Sequence, residues 1–236
     1  MSSENYELAI GAMAVTLCNW PGSPMVLQRF GAPFTCRYPN KPKSPSERFL
    51  ASKYIDSIGR ECIPVVAVKR SIVRATKLVN KLSMIKARNA IFVCPEGHRG
   101  ESLIPIETGD GRPAIAKMRE DWVHLSDGSG IATAAVYRAE YRKWELRIGV
   151  EFNTNIISNE MMLRLLVLAG MDIGLGDGRP EFFKACGWGR FKCINEQVVP
   201  KLLEMETLDA VLRNRPGSLL VVHNYRLEER GDIICV

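Results

Sequence analysis

The stretch AGMDIGLGDGRPEFFKACGWGRFKCI, residues 169–194, constrains this chain more than any other. Gly174, Gly176 and Gly178 precede Arg179-Pro180, and Gly187 and Gly189 flank Trp188 at the start of a strand-like run. Glycines at this density let the backbone take positive φ and approach a ligand or a neighbouring strand closely. Three kinds of glycine-rich loop compete for the pattern. A phosphate-binding P-loop requires Gly-Lys-Ser/Thr, which is absent. A dinucleotide fingerprint requires GxGxxG opening a helix, whereas Arg179 stands at the third glycine position and a strand follows. What remains is a strand-connecting loop that packs on a sheet and presents amides, with Arg179, Lys184 and Arg190, to phosphate groups. A plain tight turn uses one or two glycines; five with interspersed arginines exceed that need.

Around this loop, elements follow from hydrophobic period and punctuation. Residues 6–18 read as a strand. Asn19 to Ser46, with six prolines and the basic residues Arg37, Lys41 and Lys43, reads as a long irregular loop. Ser46-Glu47 opens a short amphipathic segment through Ile58, ended by Gly59. After Cys62-Ile63-Pro64, Val65, Val68, Ile72, Ala75, Val79 and Leu82 recur at helical spacing and predict a helix over 65–82. Its other face carries Lys69, Arg70, Arg74, Lys77 and Lys81, which suits either a solvated face or a phosphate-facing one. Residues 89–94 form a predicted strand, and 95–140 a β-rich excursion of small hairpins. Residues 144–152 alternate cleanly as a strand. Ser158-Asn159-Glu160 then caps a helix that ends at Gly170. Met171–Ile173 is a short extended piece and 188–194 the next strand, followed by a tail helix over 198–212 and a final strand over 218–223.

With the long insertions set aside, the order is βαββαβ, the split βαβ order of ferredoxin-like folds that also underlies the RNA-recognition motif (RRM). The expected class is α+β, with one domain over 1–236. Its ferredoxin-like, RRM-like core takes in 6–18, 62–94 and 143–195, with a β-rich insertion at 95–140 and a C-terminal extension at 196–236.

Composition narrows the function classes. The 236 residues are 46% hydrophobic and 25% charged, which is ordinary for a globular chain. A net charge of +6 is compatible with a polyanionic partner without demonstrating one. There is no run of 18 apolar residues for a membrane helix, and the opening MSSENYELA has no signal-peptide pattern, so the expected location is cytoplasmic with no membrane partner. The seven cysteines include no CxxC pair, and His98, His124 and His223 fall at no metal-ligand spacing. Reduced, mostly buried cysteines and no metal or cofactor are expected.

Taken together, the motifs resemble a known family. A helix-ending Ala-Gly, then GLGDGRP, a spacer and GWGRF, resembles the glycine-rich loop of the RAMP superfamily, the ferredoxin-like RNA-binding proteins of CRISPR systems. The helix start from Ile63-Pro64 through Val68-Lys69 to Ile72-Val73-Arg74-Ala75, the segment Met118-Arg119-Glu120-Asp121 and the glycine loop occur in the order seen in phage-encoded RAMP-like proteins, with Trp188 where that pattern has Phe. The resemblance covers roughly 60–194; the loop before it and the last 40 or so residues are unmatched. It implies that the insertion at 95–140 corresponds to the thumb-like element that clamps guide RNA in effector backbone subunits. Lys117, Arg119, Arg138 and Arg142 then become candidate backbone contacts.

The leading expectation is a non-catalytic protein binding RNA or single-stranded DNA through Lys69, Arg70, Arg74, Lys117, Arg119, Arg142, Arg179, Lys184 and Arg190. Tyr137, Tyr141, Trp144 and Trp188 are available for stacking, although core packing is favoured for Trp144 and Trp188. The resemblance, with the two protruding segments 19–46 and 95–140, also implies a homo-oligomer or filament along a strand. Two alternatives stay open. One is a phage protein that mimics a RAMP subunit and blocks or joins a host CRISPR or other defence complex. The other is an endoribonuclease using His98 or His124, neither of which sits in a recognisable constellation.

Overall fold

The cleanest pattern in the chain builds its central sheet. In the computed structural model, which describes residues 9–29, 44–79, 82–126, 131–182, 187–194, 225–227 and 233–235, this sheet is antiparallel and four-stranded. In chain order the strands are β1 (Ile10–Asn19), β2 (Met25–Leu27), β3 (Tyr54–Ile55), β4 (Glu61–Pro64), β5 (Ile91–Pro95), β6 (Leu103–Pro105), β7 (Lys117–Ser126), β8 (Ile131–Tyr141), β9 (Glu145–Asn153), β10 (Phe191–Ile194), β11 (Tyr225–Leu227) and β12 (Ile233–Cys235). The helices are α1 (Pro45–Ala51), α2 (Val65–Ala75), α3 (Met84–Ala90) and α4 (Asn159–Leu168). The central sheet runs β10-β1-β9-β5, with every neighbouring pair antiparallel.

Alternation along β9 buries Leu146, Ile148, Val150 and Phe152 and turns Glu145, Arg147, Gly149 and Glu151 to the opposite face. Register places Leu17 opposite Leu146 and Val15 opposite Ile148, extending the apolar row onto β1. Val68, Ile72 and Ala75 of α2 and Met162, Leu165 and Leu166 of α4 complete this layer. Trp144 and Phe191 close it edge to face, with ring centroids 6.4 Å apart.

Two three-stranded sheets, β2-β8-β7 and β3-β4-β6, flank the centre. The expected hairpins of 95–140 are present, with β7 and β8 paired over ten residues. The Glu61 carboxylate joins these pieces, accepting from Lys53 Nζ (2.7 Å), Tyr141 OH (2.8 Å) and Ala116 N (3.0 Å).

Several expectations need correction. The loop over 19–46 contains β2, whose three residues are fully buried against β8; a strand this short has no readable period. The helix over 65–82 stops at Ala75, passes through one 3-10 turn (Thr76–Leu78) and turns extended at Val79. Val79 and Leu82 are buried all the same, so burial continued the apolar spacing without a helix. The strand at 89–94 begins only at Ile91, after α3, whose N-cap Ser83 accepts from Lys86 N. Gly170 does not end α4: residues 169–173 form a π-helical turn rather than an extended piece, and Gly174 at φ 75° closes it. The predicted tail helix and the strand at 218–223 lie outside the described residues. Contacts divide the chain into two units, 1–199 and 200–236, and the second contains the antiparallel pair β11–β12. No helix among the described residues is long and apolar enough to cross a membrane.

Candidate nucleic-acid interface

Four of the five glycines of 174–189, Gly174, Gly176, Gly178 and Gly189, are demanded by contact. All five have positive φ, and two show why no side chain fits. A Cβ on Gly189 would lie 1.8 Å from the Leu175 carbonyl oxygen, and one on Gly176 would lie 2.3 Å from that of Val26. The backbones meet there because Leu175 N donates to Gly189 O (2.9 Å) and Asp177 N to Val26 O (2.8 Å). Gly189 N donates to Pro24 O (2.8 Å), Ser23 Oγ to Gly187 O (2.7 Å) and Arg190 N to Ser23 Oγ (2.8 Å). The loop is thus knitted to residues 20–27 as a rigid shelf beside α2, where Ser71 Oγ donates to Gly174 O (3.0 Å).

Shelf and helix enclose a small pocket of about 100 Å³, into which Arg70 and Arg74 of α2 and Arg179 of the loop project beside Ser71, Gly174 and Gly176. Its charge is unbalanced. The Glu181 carboxylate takes Arg74 Nε at 2.5 Å, Lys77 Nζ at 3.7 Å and Arg179 Nε at 3.7 Å. Arg179 Nη1 also donates to Gly176 O (2.8 Å). One carboxylate therefore serves three cations, and exposed Arg70 adds a fourth with no ion pair among the described residues. Burial, reinforced by repulsion from Arg74, pulls Arg179 below the usual arginine range, and Glu181 opposes it.

The hairpin β7–β8 is different. Arg119 pairs with Asp121 (3.0 Å) and Glu140 (3.4 Å), and its guanidinium stacks 4.0 Å from the Trp188 ring. Arg138 bridges Asp121 (2.8 Å) and Asp177 (3.2 Å), and exposed Arg142 lies 3.6 Å from Glu140. Three cations meet three carboxylates, so this network holds the hairpin to the glycine loop and leaves no surplus charge.

The structure therefore gathers three of the predicted contacts, Arg70, Arg74 and Arg179, and leaves the other described ones apart. Lys69 lies 5.0 Å over Phe92, its pKa lowered by burial and then by Arg88. Lys117 is exposed at the start of β7. Arg190 stacks on Trp20, 5.2 Å away. Lys184 lies outside the described residues. Among the stacking candidates, Tyr141 and Trp144 are core residues at 1% exposure, which removes them as base platforms. Burial and then the Glu61 carboxylate hold the Tyr141 hydroxyl well above the usual phenol range. Trp188 is half-buried under Arg119, and half-buried Tyr137 has the Arg48 guanidinium 6.0 Å from its ring. Sequence reasoning missed Phe182, which is exposed at the pocket; its place three residues after Arg179 was the available signal.

The outer face of the central sheet carries a wider groove of about 620 Å³ with Ala12, Ala14, Cys94 and Gly149 as its floor. RRM proteins place base-stacking aromatics on central strands. Here the central strands line this groove with Ala12, Met13, Ala14, Gly149, Val150 and Glu151, none of them aromatic, and Glu151 is ion-paired to Arg99 at its rim. The cationic pocket, not this face, is the candidate interface.

No protein-family model matches the chain, and no curated protein matches it. Among solved structures, the crystal structure of Cmr6 from Pyrococcus furiosus is similar at a TM-score of 0.36 and 14% sequence identity, over 78% of this chain and 99% of that one.

Proposed function

We propose that this chain is a non-catalytic, RAMP-like protein that binds RNA or single-stranded DNA at the pocket between α2 and the glycine loop. The observation that carries the reading is the convergence there of Arg70, Arg74 and Arg179 with Lys77, of which Arg74, Lys77 and Arg179 share ion pairs with the one carboxylate of Glu181. Guanidinium groups suit phosphate because they donate two parallel hydrogen bonds and keep their charge. A ferredoxin-like βαββαβ core is part of this reading. It is supported by the spatial order of the central strands, fourth-first-third-second in chain order, with α2 and α4 on the two crossovers. Coating of a strand by several copies is the assembly this reading expects.

The test is fluorescence anisotropy of nuclease-treated protein with a labelled 20-nucleotide RNA and its DNA counterpart across a salt series. Binding should weaken with a log–log slope of about −0.7 per phosphate contacted. Arg70→Ala should reduce the slope by about 0.7 with little change in Tm, because Arg70 is exposed and has no ion pair among the described residues. No affinity for either strand at low salt would reject the function. Mass photometry with strands of increasing length tests the assembly, and a constant oligomer at every length would exclude coating.

A further inference from the structure

Phe182 is 54% exposed beside this cationic pocket, although burying its ring elsewhere would remove apolar surface from water. The guanidinium carbons of Arg179 and Arg74 lie 4.3 and 5.1 Å from the ring centroid. Both arginines are held by Glu181, the residue before Phe182, so ring and cations are positioned as one unit. The electron-rich ring face attracts guanidinium, and this contact holds the ring at the pocket rim, where the residue remains 54% exposed. In a nucleotide a single ribose separates the phosphate from the base. A phosphate between these arginines therefore carries its base to within reach of the ring.

We infer that Phe182 is a stacking platform for a nucleobase whose phosphate occupies the arginine pocket, which makes the site selective for unpaired strands. This rests on the nucleic-acid reading above. A base in a duplex has both faces covered by its neighbours and is not available to the ring. Stacking is also indifferent to base identity, because every base has a π-face. The inference predicts discrimination by strandedness rather than by sequence.

The test measures binding of wild type, Phe182→Ala and Phe182→Trp to a labelled single strand, its duplex and the same strand with abasic sites, across a salt series. Phe182→Ala should lose about tenfold in single-strand affinity with an unchanged salt slope, since stacking releases no counterions. Phe182→Trp should retain affinity. Wild type should bind the abasic strand about tenfold more weakly than the intact one, an arm that needs no variant to fold. Equal affinity for intact and abasic strands, or no loss in Phe182→Ala, overturns the inference while leaving the function standing. A loss of slope together with affinity in Phe182→Ala shows that the ring merely holds the arginines, and overturns it too. Absence of wild-type binding to every strand overturns the function and this inference with it.

Discussion

Arg138 Nε lies 3.2 Å from Asp177 Oδ2, so a strand of the inserted hairpin is fastened to the glycine loop by an ion pair between residues 39 positions apart. Burial holds the Asp177 carboxyl above the usual carboxylate range, against the opposing pull of Arg138 and Arg179. The folded state thus keeps this proton more readily than the unfolded chain. The group's contribution to stability is fullest in acid and declines as pH rises through the raised pKa. Asp177→Asn should remove that decline. The Tm difference, wild type minus variant, should become more negative from about pH 4 to about pH 7 in differential scanning fluorimetry. A difference that grows more positive would mean that pairing with Arg138 outweighs burial.

Gly189 and Gly187 share a left-handed backbone but not a neighbourhood. Gly189→Ala places a Cβ 1.8 Å from a backbone carbonyl, whereas among the described residues the nearest atom to a Cβ on Gly187 is Arg190 Cδ at 3.9 Å. Gly187→Ala should cost only the conformational term of about 1 kcal/mol. Gly189→Ala should cost about 4 kcal/mol or prevent folding. Urea denaturation of both variants checks the contrast, and equal costs would contradict the loop packing described.

Glu181→Gln removes the carboxylate shared by Arg74, Lys77 and Arg179. Single-strand affinity at low salt should rise, and the salt slope should steepen by about 0.7, as one more phosphate contact becomes available. Anisotropy titrations read both quantities. Weaker binding would mean that the hold of Glu181 on the arginines matters more to binding than its competition with phosphate.

Tyr141→Phe deletes the hydroxyl that donates to Glu61 at 2.8 Å in a buried network. The expected cost is about 2 kcal/mol, as for a hydrogen bond to a charged acceptor, with strand affinity unchanged. Chemical denaturation beside a binding titration separates this core role from a stacking role, which would reverse the pattern.

Burial pushes the thiols of Cys18 and Cys62 up to about 11. Ellman's reagent at about pH 8 should leave both unmodified in the folded protein and reach both in denaturant, because the thiolate is the reactive form. Mass spectrometry of the labelled peptides identifies the sites.

Where one element carried a long, unambiguous period, the sequence alone determined it. β9 alternates over nine residues and α4 opens on a serine cap, and both stand where pattern and cap predict them. The glycine cluster likewise announced a loop in close backbone contact. Shorter or conditional features were decided by tertiary structure. β2 is a strand only because β8 offers it hydrogen bonds, and α2 stops at Ala75 although apolar spacing continues through Leu82, since a buried residue is apolar in either conformation. The interface divided in the same way. Sequence could nominate cations by type, but charge surplus depends on which carboxylates fold beside them. Glu181 leaves the α2 and loop cations in excess, whereas Asp121, Glu140 and Asp177 match those of the hairpin. A side chain's charge is written in the sequence, and its counter-ion is chosen by the fold, because pairing falls off over a few ångströms that chain separation does not encode.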